Sequence, residues 1–171
     1  MIELEHTKIK VERSNMESIN WNELEHAYGN VSDIPQLLND LKSYPSCKSY
    51  DEEPFYTLWS SLCHQGDIYS ASYAALPMIV SLIESAPEKV DYNYFLFPVS
   101  IEIARLNGNG PEIGKDLEEN YFKSIRTMGC LTGRINTTDE TMISVLSAAT
   151  AVCHGKADLA EAILELTPSI H

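Results

Sequence analysis

Apolar residues recur at helical spacing along most of the chain, and the polar positions between them fall where helices would begin and end. The first dozen residues are the exception. Ile2 and Leu4 alternate with Glu3 and Glu5, and Ile9 and Val11 alternate with Lys8 and Lys10, a period that reads as a short strand or an ordered arm. Asn20 then stands where a cap belongs, before a short helix with Trp21, Leu24 and Tyr28 on one face and Gly29 as its stop. Ser32 or Asp33 caps the next, with Pro35 in its first turn and Leu37, Leu38 and Leu41 at helical spacing.

A polar loop over 43–51 leads to a third predicted helix from about Glu52 to His64, its stripe made by Phe55, Leu58, Trp59 and Leu62 and its end marked by Gly66. The dense apolar run 69–85 contains Pro77, which removes a helical hydrogen bond, so a kink or restart near Leu76 is expected. A helix over 92–106 stops at Asn107-Gly108-Asn109-Gly110, and Pro111 opens another that runs to about Met128. Thr137 and Glu140 have the offset of a capping box before Met142–Val152, and 156–166 closes the chain with a last helix.

Helix pairs in this reading begin near Trp21, Glu52, Tyr92 and Thr138, at intervals of roughly 31, 40 and 46 residues, the range of helical-repeat proteins. The strings SSLCHQGDIYSASYAA (60–75) and TAVCHGKADLAEAILE (150–165) echo one another: a helix ends on Cys-His, turns at a glycine and enters an Ala-rich helix. The expected fold is all-α, one domain over 1–171, a short right-handed stack of about four antiparallel helix pairs preceded by a small strand or arm.

Certain residues resemble a known pattern. Trp21, Leu24, Tyr28, Gly29, Ile34-Pro35 and Leu37-Leu38, then Leu58-Trp59, His64-Gln65-Gly66, Tyr69 and Ala74 to Pro77, resemble small bacterial HEAT-like proteins over the first half of the chain. The second half shares only the Cys-His-Gly corner. Such solenoids are often encountered beside secreted toxins, so the resemblance implies an immunity protein of an interbacterial competition system. It is more specific for fold than for function, because solenoids serve many partners.

Charge narrows the choice of partner. Twelve basic against 25 acidic residues give a formal −13, a field that repels phosphate backbones and anionic lipid and speeds encounter with basic proteins. Acidity also simply keeps a protein soluble. No run reaches the roughly 18 apolar residues of a membrane span and the start has no signal-peptide core, so a cytoplasmic protein is expected, with Cys47, Cys63, Cys130 and Cys153 reduced.

Catalytic signals are weak. His64 reads as a residue packed at a helix end, bonding the last carbonyls while Gly66 takes the left-handed turn. Cys63-His64 with Cys153-His154 has the right atoms for zinc, but adjacent ligands lack the usual chelating gap. No nucleophile elbow or phosphate cradle is present. Asp51-Glu52-Glu53 and Asp116-Glu118-Glu119 read as solvated faces or helix-start charges before they read as acid–base pairs.

The expectation is therefore a non-catalytic protein-binding module without cofactor or metal, working as a monomer in a 1:1 complex with a basic toxin domain, plausibly a nuclease. A general adaptor for proteins or peptides is the alternative. The candidate partner-binding residues are Asp51, Glu52, Glu53 and Tyr56, then Asp67, Tyr69 and Tyr73, and Glu118 and Glu119, because tyrosines supply contact area while carboxylates steer encounter.

Overall fold

The computed structural model describes residues 19–47 and 51–167, so the strand or arm expected in the first dozen residues lies outside the described residues. The fold is mostly helical. Seven α-helices are described: α1 (Ile34–Asp40), α2 (Phe55–Leu62), α3 (Ser70–Ser85), α4 (Tyr92–Leu106), α5 (Lys115–Thr132), α6 (Glu140–Cys153) and α7 (Ala157–Glu165). Two antiparallel hairpins accompany them: β1 (Glu25–His26) pairs with β2 (Gly29–Asn30), and β3 (Cys63–His64) with β4 (Asp67–Ile68).

The helix expected from Asn20 to Tyr28 is instead one 3-10 turn, Trp21–Glu23, followed by the first hairpin. Asn20 does not cap the turn; its side-chain amide donates to the Glu23 carboxylate at 2.6 Å. Leu24 is then extended, and the strand finds partners elsewhere: Ala27 N–H donates to the Ser61 carbonyl and Glu25 N–H to Ser70 Oγ. So short a helix is marginal by itself, so these tertiary bonds outweigh the helical spacing of Trp21, Leu24 and Tyr28. The second hairpin takes the last two residues of the expected third helix. Its turn, Gln65-Gly66, has φ +53° and +88°, the doubly left-handed geometry of a type I′ turn, which glycine adopts freely.

Proline does not interrupt α3. The helix runs unbroken through Pro77, and ten of its sixteen residues are buried, among them Leu76, Ile79, Val80, Leu82 and Ile83. Each such side chain contributes about 1.5–3 kcal/mol, which together exceed the roughly 3 kcal/mol that an interior proline costs. At the other boundaries, α5 begins at Lys115 rather than Pro111 and ends beyond Met128. The cap of α6 is Asp139, whose carboxylate accepts from Met142 N–H, while Thr137 Oγ1 accepts from Asp139 N–H.

Of the expected pairs, α6 with α7 is formed, whereas α4 takes neighbours other than α5. Helix α4 packs mainly against α3 and α6, and α5 against α3 and α6, so α3 with α5 and α4 with α6 form two layers and α7 lies on α6. Aromatic pairs join α2 to α4, where Trp59 meets Phe97 edge-on at 4.7 Å and Phe55 meets Tyr94 at 5.1 Å, and α3 to α5, where Tyr73 meets Tyr121 at 5.3 Å. Among the described residues, no helix is long and apolar enough to cross a membrane.

Candidate protein-interaction site

Both hairpins, the start of α3 and the turn after α4 meet at one end of the molecule. There they enclose an open cavity of about 690 Å³ whose wall holds Glu23, Glu25 and Asp67 and, among the described residues, no basic side chain. Local bonding explains why the carboxylates converge. Glu25 N–H is held by Ser70 Oγ at 2.8 Å, and Ile68 N–H donates to the Asn109 carbonyl at 2.9 Å, which ties β4 to the turn after α4. Ser72 Oγ accepts from Tyr69 N–H and donates to the Leu62 carbonyl, fixing the angle at which α3 leaves the hairpin. The positive end of the α3 dipole lies beside these acids and offsets part of their mutual repulsion.

A patch of rings flanks the cavity. Tyr28 is 64% exposed and edge-on to both His26 and His64, with its hydroxyl 3.4 Å from His64 Nδ1. His64 Nδ1 is also 3.1 Å from the Ser60 carbonyl; a carbonyl only accepts, so the proton of that contact is on Nδ1. His64 thus bonds a helix-end carbonyl as its position in the sequence implied. The buried His26 accepts Tyr28 N–H at Nδ1, which leaves its proton on Nε2, 3.4 Å from Asp33 Oδ1. Tyr69 has its phenol pushed upward by burial and then by Asp67, Tyr28 and Cys63, so it remains a protonated donor at neutral pH.

The residues proposed from the sequence divide between two places. Asp67 and Tyr69 line the acidic cavity. Tyr73, 1% exposed, is a core residue whose hydroxyl donates to the Pro111 carbonyl at 2.7 Å; it and Glu118 line an adjoining cavity, and Glu119 is exposed on α5. Asp51, Glu52, Glu53 and Tyr56 lie at the start of α2, beside the N-terminal end of α4 where Phe55 meets Tyr94. Asp67 lies by the C-terminal end of α4, about 22 Å away along a helix of that length. One compact ligand surface does not join the two groups.

Glu23, Glu25 and Tyr28 were not among the partner-binding residues expected from the sequence, which placed Tyr28 on a helix face. They come together with Asp67 only because a segment of helical spacing folds as a hairpin, and no local signal spans the forty residues between them.

The Cys-His pairs serve other ends. Cys153 donates its thiol proton to the Ile125 carbonyl at 3.0 Å, and burial pushes the Cys153 and Cys63 thiols up to about 11, so both are neutral at pH 7. None of the four cysteines is in a disulfide. Among the described residues, no group of three or more His, Cys, Asp or Glu side chains is arranged to hold a metal ion.

Compared with known proteins, the chain matches no family model, no curated protein and no solved structure. Its class therefore follows from its own coordinates: a mostly helical protein whose two small hairpins frame an acidic cavity.

Proposed function

We propose that this chain is a non-catalytic protein-binding module, a short HEAT-like stack whose hairpin end receives a basic protein partner, and that it acts as a cytoplasmic immunity protein occluding a basic toxin domain in a 1:1 complex. The carrying observation is the cavity wall that gathers Glu23, Glu25 and Asp67 with no basic side chain among the described lining residues, beside the exposed ring of Tyr28. Exposed carboxylates gathered on one wall set up a negative field that favours the approach of a cationic surface. Tyrosine beside them supplies apolar area and a hydroxyl at low entropic cost. Occlusion needs shape and charge and no bond-making chemistry.

The layering also supports a repeat reading. Helices α3 and α4 are followed by α5 and α6 at an offset of roughly 45 residues, with like helices in contact, which is how stacked helical repeats bury a continuous core.

Co-expression tests the immunity role. Cells producing the C-terminal segment of the protein encoded immediately upstream should die without this chain and grow with it. If the segment kills equally in both cases, the immunity reading fails. With a partner in hand, the E23Q/E25Q/D67N variant should associate roughly tenfold more slowly at low salt and lose most of its salt dependence. An unchanged on-rate would show that the partner docks elsewhere.

A further inference from the structure

A second cavity, of about 500 Å³, opens on the other side of the Gly110-Pro111 segment. Its wall carries Arg105 and Lys115, Glu112 and Glu118, and the apolar surfaces of Phe122 and Ile113. Its size lies within the range of small-ligand sites.

Arg105 is held there by machinery that folding alone does not require. Glu102, 2% exposed, accepts from Arg105 Nε and Nη2 at 2.7 Å each and from the Tyr121 hydroxyl at 2.7 Å. The guanidinium also lies over the Phe122 ring, 5.1 Å from its centroid. Replacing a buried ion pair by apolar side chains is often neutral or stabilising, so a carboxylate buried this deeply is explained better by what it positions than by stability. It positions a guanidinium whose Nη1 has no partner among the described residues, on a cavity wall with an aromatic ring. Gly110 keeps the cavity's lip closed against the hairpin: a Cβ there would fall 2.5 Å from Ile68 Cγ1 and 3.2 Å from the Tyr73 hydroxyl.

We propose that this cavity binds a small zwitterion with an apolar body, of the α-amino-acid class. The carboxylate takes the open edge of Arg105 with Lys115, the ammonium takes Glu118 and Glu112, and the side chain lies against Phe122 and Ile113. Two cations and two carboxylates on one wall suit a ligand carrying both charges, and neither a plain anion nor a plain cation satisfies all four. The site is distinct from the acidic cavity and does not depend on a protein-binding role.

The test is titration of the ¹⁵N-labelled full chain with L-phenylalanine up to roughly 20 mM, enough to saturate a millimolar site. The amides of Gly110 and Phe122 and the Nε–H of Arg105 report binding. Saturable shifts are expected, with 3-phenylpropionate, which lacks the ammonium, binding about tenfold more weakly and phenethylamine, which lacks the carboxylate, not saturating. The double variant E102M/R105M should lose binding. K115A and E118Q, at exposed positions that leave the core intact, should each weaken it about threefold or more. Absence of saturable shifts, equal binding of phenethylamine and phenylalanine, or affinity unchanged in K115A and E118Q would overturn the proposal. Equal binding of 3-phenylpropionate and phenylalanine would overturn the ammonium half of it.

Discussion

Removing Arg105 should destabilise this protein more than removing the acid it pairs with. Glu102 is 2% exposed and draws all three of its hydrogen bonds from Arg105 and Tyr121, whereas the Arg105 side chain keeps 24% of its surface in solvent. Arg105→Met leaves a carboxylate buried with one phenolic donor, a loss of about 3–5 kcal/mol. Glu102→Met lets the arginine turn to water and orphans only the fully buried Tyr121 hydroxyl, a loss of about 1–3 kcal/mol. Adding Tyr121→Phe to the double variant E102M/R105M removes that orphan as well, so the triple variant should return to within about 1 kcal/mol of the parent. Urea unfolding at pH 7, followed by far-ultraviolet circular dichroism, measures each, and Arg105→Met should lower the midpoint by about 2 M at a typical slope. An Arg105→Met midpoint at or above that of Glu102→Met would refute the reasoning, because it would show that the carboxylate does not depend on its partner.

Gly110→Ala should cost about 2 kcal/mol in the same unfolding assay, since its Cβ overlaps the buried Ile68 side chain; an unchanged midpoint would mean that the turn after α4 is free to move off the hairpin. Iodoacetamide at pH 8 should alkylate the exposed Cys130 well before Cys63 and Cys153, whose thiols, raised to about 11, are roughly one part in a thousand thiolate there. Raising the pH toward 11 should narrow the gap, and peptide mapping by mass spectrometry reads both. Tyr94→Phe should cost only about 1 kcal/mol, because the Leu41 carbonyl that accepts from its hydroxyl also accepts from Tyr44 N–H; a midpoint loss beyond about 3 kcal/mol would contradict that account.

The long helices were legible because their periodicity is repeated over enough turns to outvote any single residue. Four turns of buried side chains in α3 overrule Pro77, and the stripe Leu117, Tyr121, Ile125 and Met128 defines α5 although its start lies four residues later than Pro111 implies. Short segments have no such majority. Trp21, Leu24 and Tyr28 fit a helix as well as they fit a turn and a strand, and the choice is made by Ser61 and Ser70, whose backbone and side-chain oxygens accept the strand's N–H groups. Of the residues proposed from the sequence, Asp67 and Tyr69 line the acidic cavity, while Tyr73, four residues on and inside α3, is core.

By itself the sequence determined that the chain is mostly helical, where six of the described helices run to within a few residues, and that it is strongly acidic, because these depend on local spacing and on composition. Only the tertiary structure decided which helices pair, that the segment after Asn20 forms a hairpin, and that Glu23, Glu25 and Asp67 share one wall while Glu102 holds Arg105 at another. These relations join residues distant in the chain, or hang on which side of a helix is buried. They are settled by hydrogen bonds and burial that exist only once the whole chain has closed on itself.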